Sequence, residues 1–170
     1  HMDAANVDLK GFHRDFYKRT CLAEVQPVLD TLRFLNNESN TWFEITTLLI
    51  PGKNDSDEEL HELCDWVREN LGTGVPMHFT AFHPDYKMLD TPHTPHSTLL
   101  RAREIALSKG MQFVYVGNVH DDDAGSTFCP SCREKLIERD WYELGQWKMD
   151  GNRCGNCGAE IPGLFESAPG

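Results

Sequence analysis

The sequence predicts an α/β protein: a layer of parallel strands backed by helices, followed by a small cysteine-rich module. Three observations carry that expectation. Four short apolar runs alternate with amphipathic helical patterns, and strands joined through helices make right-handed crossovers into a parallel sheet. The alternation stops after Asn118. Beyond it, Cys129-Pro130-Ser131-Cys132 and Cys154-Gly155-Asn156-Cys157 stand twenty-one residues apart. Two C-x2-C turns at that spacing can bring four thiolates to one tetrahedral ion.

The elements follow in order. Ala4 to Leu9 reads as a short buried strand ending in Lys10. Phe12 to Arg19 and Glu24 to Leu35 read as helical, with Val28, Leu32 and Leu35 on one face. Trp42 to Ile50 is a second strand, stopped by Pro51-Gly52. Ser56 followed by Glu59 is the pattern of a capping box, opening a helix whose stripe is Leu60, Leu63, Cys64, Val67 and Leu71. Met77 to Phe82 is the third strand, followed by a loop rich in Pro and His. Pro95 suits the first turn of a helix carrying Leu99, Leu100, Ile105, Ala106 and Leu107 and closed by Gly110. Met111 to Val116 is the fourth strand, and Asp121 to Gly125 reads as an acidic linker. The expected domains are therefore 3–120 and 126–166.

Composition narrows the function. The 170 residues suffice for a modest domain with a small module attached. A net charge of −11 argues against nucleic acid and against an anionic membrane surface as partners. No apolar run approaches the roughly 20 residues needed to span a bilayer. The N-terminal residues lack the basic and apolar regions of a signal peptide, so a cytoplasmic location is expected. His1-Met2 reads as a remnant of cloning. Of the six cysteines, four sit at metal spacing and two, Cys21 and Cys64, are isolated, a pattern of a reduced compartment. Cys21 and Cys64 read as small buried apolar side chains.

In parallel sheets, ligands bind beyond the carboxyl ends of the strands. Here those ends carry Asp8 and Lys10, then Pro51 to Asp55, then His83 to Lys87, then Gly117 to His120. One rim thus gathers the polar chemistry. Taken alone, Asp8 and Lys10 read as a strand-end ion pair and His83 as a loop histidine. Four parallel strands make about half of an eight-stranded barrel, and a bare first strand would be poorly protected. The expectation is an oligomeric neighbour there, or a missing N-terminal part of the barrel.

Asn6 to Phe12, Glu44 to Asp55, Ala81 to Met88 and Tyr115 to Val119 together resemble the C-terminal half of radical S-adenosylmethionine (SAM) enzymes. The resemblance is to the pyruvate formate-lyase activating enzyme-like group, and within it to the AmmeMemoRadiSam system radical SAM enzyme, several members of which end in paired C-x2-C knuckles. It implies a partial (β/α) TIM-like barrel plus a zinc ribbon. It also implies SAM contacts from Asp8 and Lys10 at the first strand end and from His83 after the third, with the Ile50–Asp55 turn along the same rim. The complete enzyme would hold SAM and a 4Fe-4S cluster, cleave SAM reductively and abstract hydrogen from a substrate, a protein glycine being one candidate.

The departure from that family is the cluster motif. No Cys-x3-Cys-x2-Cys occurs in the chain, and the Gly-Gly-Glu strand is absent. The chain is therefore expected to be a C-terminal portion, catalytically silent by itself. The alternative is a non-catalytic zinc-ribbon module that docks a protein partner. For Cys129, Cys132, Cys154 and Cys157 a structural zinc is the first choice of ion, with rubredoxin-like iron or an auxiliary iron–sulfur cluster as competitors. Trp141, Tyr142 and Trp147 are expected to pack that module. His61-Glu62 lacks the second His of a zincin helix, Gly52-Lys53 lacks a phosphate loop's other residues, and His93 and His96 read as loop residues.

Overall fold

Alternation of apolar and polar residues decides how the strands sit. In the computed structural model, which describes residues 2–165, β1 (Ala4–Asp8), β2 (Trp42–Leu49), β3 (Met77–Ala81) and β4 (Val114–Gly117) form one parallel sheet in that order. His1 of the expected remnant, and position 166 of the expected 126–166 module, lie outside the described residues. The chain divides between Val119 and His120 into two compact units.

In the first unit, one sheet face is apolar and closed. Phe43, Ile45 and Leu49 of β2, Met77, Phe79 and Ala81 of β3, and Val114 and Val116 of β4 are all buried. The helices α2 (Gln26–Glu38), α3 (Asp57–Leu71) and α4 (His96–Ser108) add Leu29, Leu32, Leu60, Leu63, Val67, Leu99 and Ala102 to that core. The other face is half-exposed. It carries Trp42, Glu44, Thr46, His78, Thr80 and Tyr115, where a parallel sheet covered on both sides would be apolar throughout. Register sets Asp8, Thr46, His78 and Tyr115 in one row across the four strands.

Several local expectations change in the fold. The segment expected to be helical over Phe12 to Arg19 is a single turn, α1 (Arg14–Phe16), running into a π-helical turn at Tyr17–Cys21. That turn carries Tyr17 into an apolar cluster with Phe16, Ile50 and Phe82, against which Leu48 and Met88 pack. Pro95 is the residue before the first turn of α4 rather than within it, and its ψ of 143° is extended. Leu100 and Leu107 are only half-buried, and Ala102 takes their place in the core. On α2 the buried pair is Leu29 and Leu32.

The second unit is built from short antiparallel pieces. β5 (Thr127–Phe128), β6 (Lys135–Asp140) and β7 (Glu143–Trp147) form one sheet, and β8 (Met149–Asp150) pairs with β9 (Arg153–Cys154). Leu136, Ile137 and Ile161 are its fully buried large side chains. The expected linker Asp121 to Gly125 is instead a hydrogen-bonded turn. The Asp121 carboxylate accepts the Ala124 N–H at 2.7 Å, and its carbonyl accepts the Gly125 N–H at 2.9 Å. Lys135 reaches Asp123 at 2.7 Å. The turn is acidic because its carboxylates cap and pair, which composition alone does not distinguish from solvation.

Candidate functional site

At the carboxyl edge of the parallel sheet, side chains from later segments hydrogen-bond carbonyls at or just beyond the strand ends. Thr47 donates its hydroxyl to the Leu9 carbonyl at 2.8 Å. Asn54 is 1% exposed; its amide donates to the Lys10 and Leu48 carbonyls at 2.5 and 2.9 Å while its oxygen accepts the Ile50 N–H at 2.7 Å. Thr94 donates to the Leu49 carbonyl at 2.6 Å and accepts the Phe82 N–H at 2.8 Å. Asn118, at φ 59°, donates to the Ala81 carbonyl at 3.1 Å. The Ile50–Asp55 turn thus owes its Asn to backbone satisfaction, since a buried carbonyl left without a donor is costly.

Glu59 does the same for the loop after β1. Ser56 caps α3 by accepting the Glu59 N–H at 3.3 Å. The Glu59 carboxylate, however, turns away from the reciprocal half of a capping box. It accepts the backbone N–H groups of Phe12 and His13 at 2.7 and 3.0 Å. At Gly11 an added Cβ would lie 2.7 Å from the Phe16 ring and 2.9 Å from that carboxylate, so the close approach requires glycine.

This scaffold places the residues implied by the family resemblance. Asp8 ends β1, and its carboxylate meets the Lys10 ammonium at 3.0 Å. Lys10 is anchored through its backbone, whose N–H donates to the Tyr17 hydroxyl at 3.0 Å. Burial pushes the Tyr17 phenol up to about 12, even though the Lys10 hydrogen bond works in the other direction. His83 is exposed beyond β3 and meets the His93 ring edge-on, centroids 5.7 Å apart. Lys10 and His83 therefore follow the same edge of one sheet with β2 between their strands, a lateral offset of about 10 Å.

The half-exposed face below that edge holds residues the sequence reading passed over. Glu44 accepts the Trp42 indole N–H at 3.2 Å on one oxygen and meets His78 Nε2 at 2.6 Å with the other. Tyr115 stacks on the His78 ring at 5.0 Å, with 28° between planes. A carboxylate that holds one imidazole nitrogen orients the ring and sets which nitrogen faces outward. The signal was available: Glu44 and Thr46, like His78 and Thr80, interrupt strands that would be uniformly apolar in a doubly covered sheet.

In the second unit the four cysteines converge. All four sulfurs lie within 4.8 Å of one another, with Cys129–Cys157 and Cys132–Cys154 each at 3.7 Å. A tetrahedral zinc with bonds of about 2.3 Å sets its sulfurs about 3.8 Å apart, so the donor set fits one ion. Both knuckles use the same turn. The Cys129 N–H donates to the Glu134 carbonyl at 2.8 Å and the Arg133 N–H to the Cys129 carbonyl at 2.9 Å; Cys154, Ala159 and Gly158 repeat the pattern at 2.8 Å each. The fourth residue after each leading cysteine is left-handed, Arg133 at φ 64° and Gly158 at φ 72°. The Asn156 amide donates to the Cys132 sulfur at 3.5 Å, and this bond first, then one from the backbone at Glu134, draws that thiol down to about 6. Cys157 goes the other way, to about 12: a backbone bond at Ala159 opposes the rise, but neighbouring sulfurs and burial outweigh it. Four adjacent thiols do not all ionise without a cation between them. Among the described residues these four are the group of His, Cys, Asp and Glu side chains that can hold a metal ion. Cys21 and Cys64 are outside that group, and the sequence holds no Cys-x3-Cys-x2-Cys.

The first unit is a parallel four-stranded sheet backed by helices, and the second unit carries a four-cysteine group that can hold a metal ion. A domain of pyruvate-formate lyase-activating enzyme from Bacteroides vulgatus matches with a TM-score of 0.59 at 14% identity, covering 68% of each chain. A radical SAM methyltransferase from Sphaerobacter thermophilus matches with a TM-score of 0.54 at 18% identity, covering 66% of this chain and 33% of that one. Uncharacterized protein MJ0808 of Methanocaldococcus jannaschii is 41% identical over 162 residues, 94% of this chain. The chain spans 48% of that relative's length. No family model matches. Among the described residues, no helix is long and apolar enough to cross a membrane.

Proposed function

We propose that the chain is the C-terminal portion of a radical SAM enzyme of the pyruvate formate-lyase activating enzyme-like group, of the AmmeMemoRadiSam type, with a structural zinc ribbon at its tail. The observation that carries this reading is the shared sheet edge: Asp8 ends β1, and Lys10 and His83 follow the carboxyl ends of β1 and β3, in a fold like that of radical SAM proteins. Their chemistry suits SAM, whose carboxylate takes a Lys, whose ribose hydroxyls take an Asp, and whose adenine packs on an imidazole. In the complete protein, a 4Fe-4S cluster held by other residues would, with SAM, supply reductive cleavage and hydrogen abstraction. This chain's own residues contribute to binding: Tyr17 and Asn54 hold the Lys10 backbone, and Asp8 holds its ammonium. The outer edge of β1, the edge strand of its sheet among the described residues, is where the remaining strands, or another copy, would add, in a reducing cytoplasm. Four thiolates leave no open position on the ion, which makes the zinc structural.

Calorimetric SAM binding by the full-length protein tests this. Lys10→Ala and His83→Ala should each weaken SAM by about tenfold, while unchanged affinity in both variants would refute the assignment. The present chain alone should show only a small rise in melting temperature with SAM, and elemental analysis should find about one zinc per chain. A brown, iron-bearing protein would replace zinc in this reading.

A further inference from the structure

The β6–β7 hairpin ends in an aromatic tip that its unit's packing leaves outside. Trp141 and Tyr142 occupy the two positions between Asp140 and Glu143, the last cross-strand pair. The expectation that these rings pack the module fails: Trp141 is 48% exposed, Tyr142 91% and nearby Leu144 50%. Trp141 sits at φ 56°, a conformation that short hairpin turns draw from Gly, Asn or Asp and that a bulky side chain adopts at a cost. Turn formation therefore does not account for aromatic residues there. The rings are also propped in place. His120 stacks on Trp141 at 5.2 Å with 25° between planes, the His120 imidazole pairs with the Asp140 carboxylate at 2.9 Å, and Tyr142 meets Trp141 edge-on at 5.8 Å. Rigidly presented rings lose little entropy on binding.

Charge selects the occupant. Asp140 and Glu143, both exposed, flank the rings, and the chain carries a net −11. A second copy would bring the same negative tip, and nucleic acid would bring phosphates, so repulsion opposes both. Guanidinium and ammonium groups fit: they sit over ring faces, and their N–H groups meet the flanking carboxylates. We propose that the β6–β7 tip docks an arginine- and lysine-rich segment of a partner protein, cations on Trp141 and Tyr142 and charge against Asp140 and Glu143. This surface is independent of the SAM reading.

The test is fluorescence anisotropy of a labelled Arg-Gly repeat peptide with the metal-loaded chain, beside a citrulline-Gly peptide of equal length. Binding of the Arg peptide alone is expected, weakening between about 50 mM and about 300 mM salt. Trp141→Ala with Tyr142→Ala should weaken it about tenfold at unchanged metal content, and the Phe pair should retain most of it. Should the Ala pair lose its metal, Glu143→Gln decides through a reduced affinity and a shallower salt dependence. Absence of binding to the parent chain would overturn the proposal. So would equal binding by the Ala pair, or a tip engaged instead by single-stranded DNA or by a second copy in sedimentation.

Discussion

Glu59 ties the loop after β1 to the first turn of α3 with one carboxylate. It is 2% exposed and accepts two backbone N–H groups forty-six and forty-seven residues away. Glu59→Ala would strand both donors and should cost about 2–3 kcal/mol in urea unfolding; a change below about 0.5 kcal/mol would show the bonds to be dispensable. The sequence marked Glu59 as a capping residue, because the Ser-x-x-Glu spacing is local. Its true partners are not local, so no pattern named them. Cys64 offers a pH test. Burial first, then Asp65, pushes its thiol up to about 12, so its contribution to stability is intact below the ordinary thiol range and is lost as pH rises from about 9 toward 12. Unfolding followed from pH 8 to 11 should show that decline, and Cys64→Ala should flatten it. The share due to Tyr17, raised in the same direction, should persist. Iodoacetamide at about pH 8 should leave Cys64 unmodified in the native chain.

At the scale of elements, β2 and β3 show both what alternation reveals and where it stops. Their apolar positions were legible, and Phe79 is fully buried; Phe79→Ala should cost about 3–5 kcal/mol by chemical denaturation. Their polar positions were equally visible, yet which face neighbouring elements cover is a tertiary fact. The Glu44–His78 pair is half-exposed, with side chains at 34% and 27%, so it contributes little to stability. Glu44→Gln should therefore shift unfolding by less than about 1 kcal/mol while moving the imidazole nitrogen resonances of His78. A large loss of stability would make the pair structural instead. The turn at Tyr17–Cys21 is the converse case. Its residues read as helical and form a π-helical turn, in which Tyr17 bonds the Lys10 backbone and packs with Ile50 and Phe82, contacts that no local pattern names.

At the scale of the whole molecule, the two units rest on different physics. The sheet unit buries a run of large side chains from β2, β3 and β4, from three helices and from Leu9 just after β1. Among its described residues the cysteine unit has Leu136, Ile137 and Ile161 as fully buried large side chains, too few for so small a fold without a staple. A metal ion held by the four cysteines would supply the difference. Chelation, or Cys132→Ser, should abolish hydrogen-exchange protection across residues 127–161 and leave β1 to β4 protected. Loss of protection in both units together would contradict independent stabilisation.

Periodicity and spacing by themselves determined the parallel α/β order, the α3 stripe and the four-cysteine set, since each depends on residues close together in the chain. The pairing of Asn54, Glu59 and Thr94 with strand-end backbone emerged only in three dimensions, as did the row Asp8–Thr46–His78–Tyr115 and the outward turn of Trp141 and Tyr142. Those features depend on which surfaces meet, and burial and hydrogen bonding between distant segments settle that after the local structure has formed.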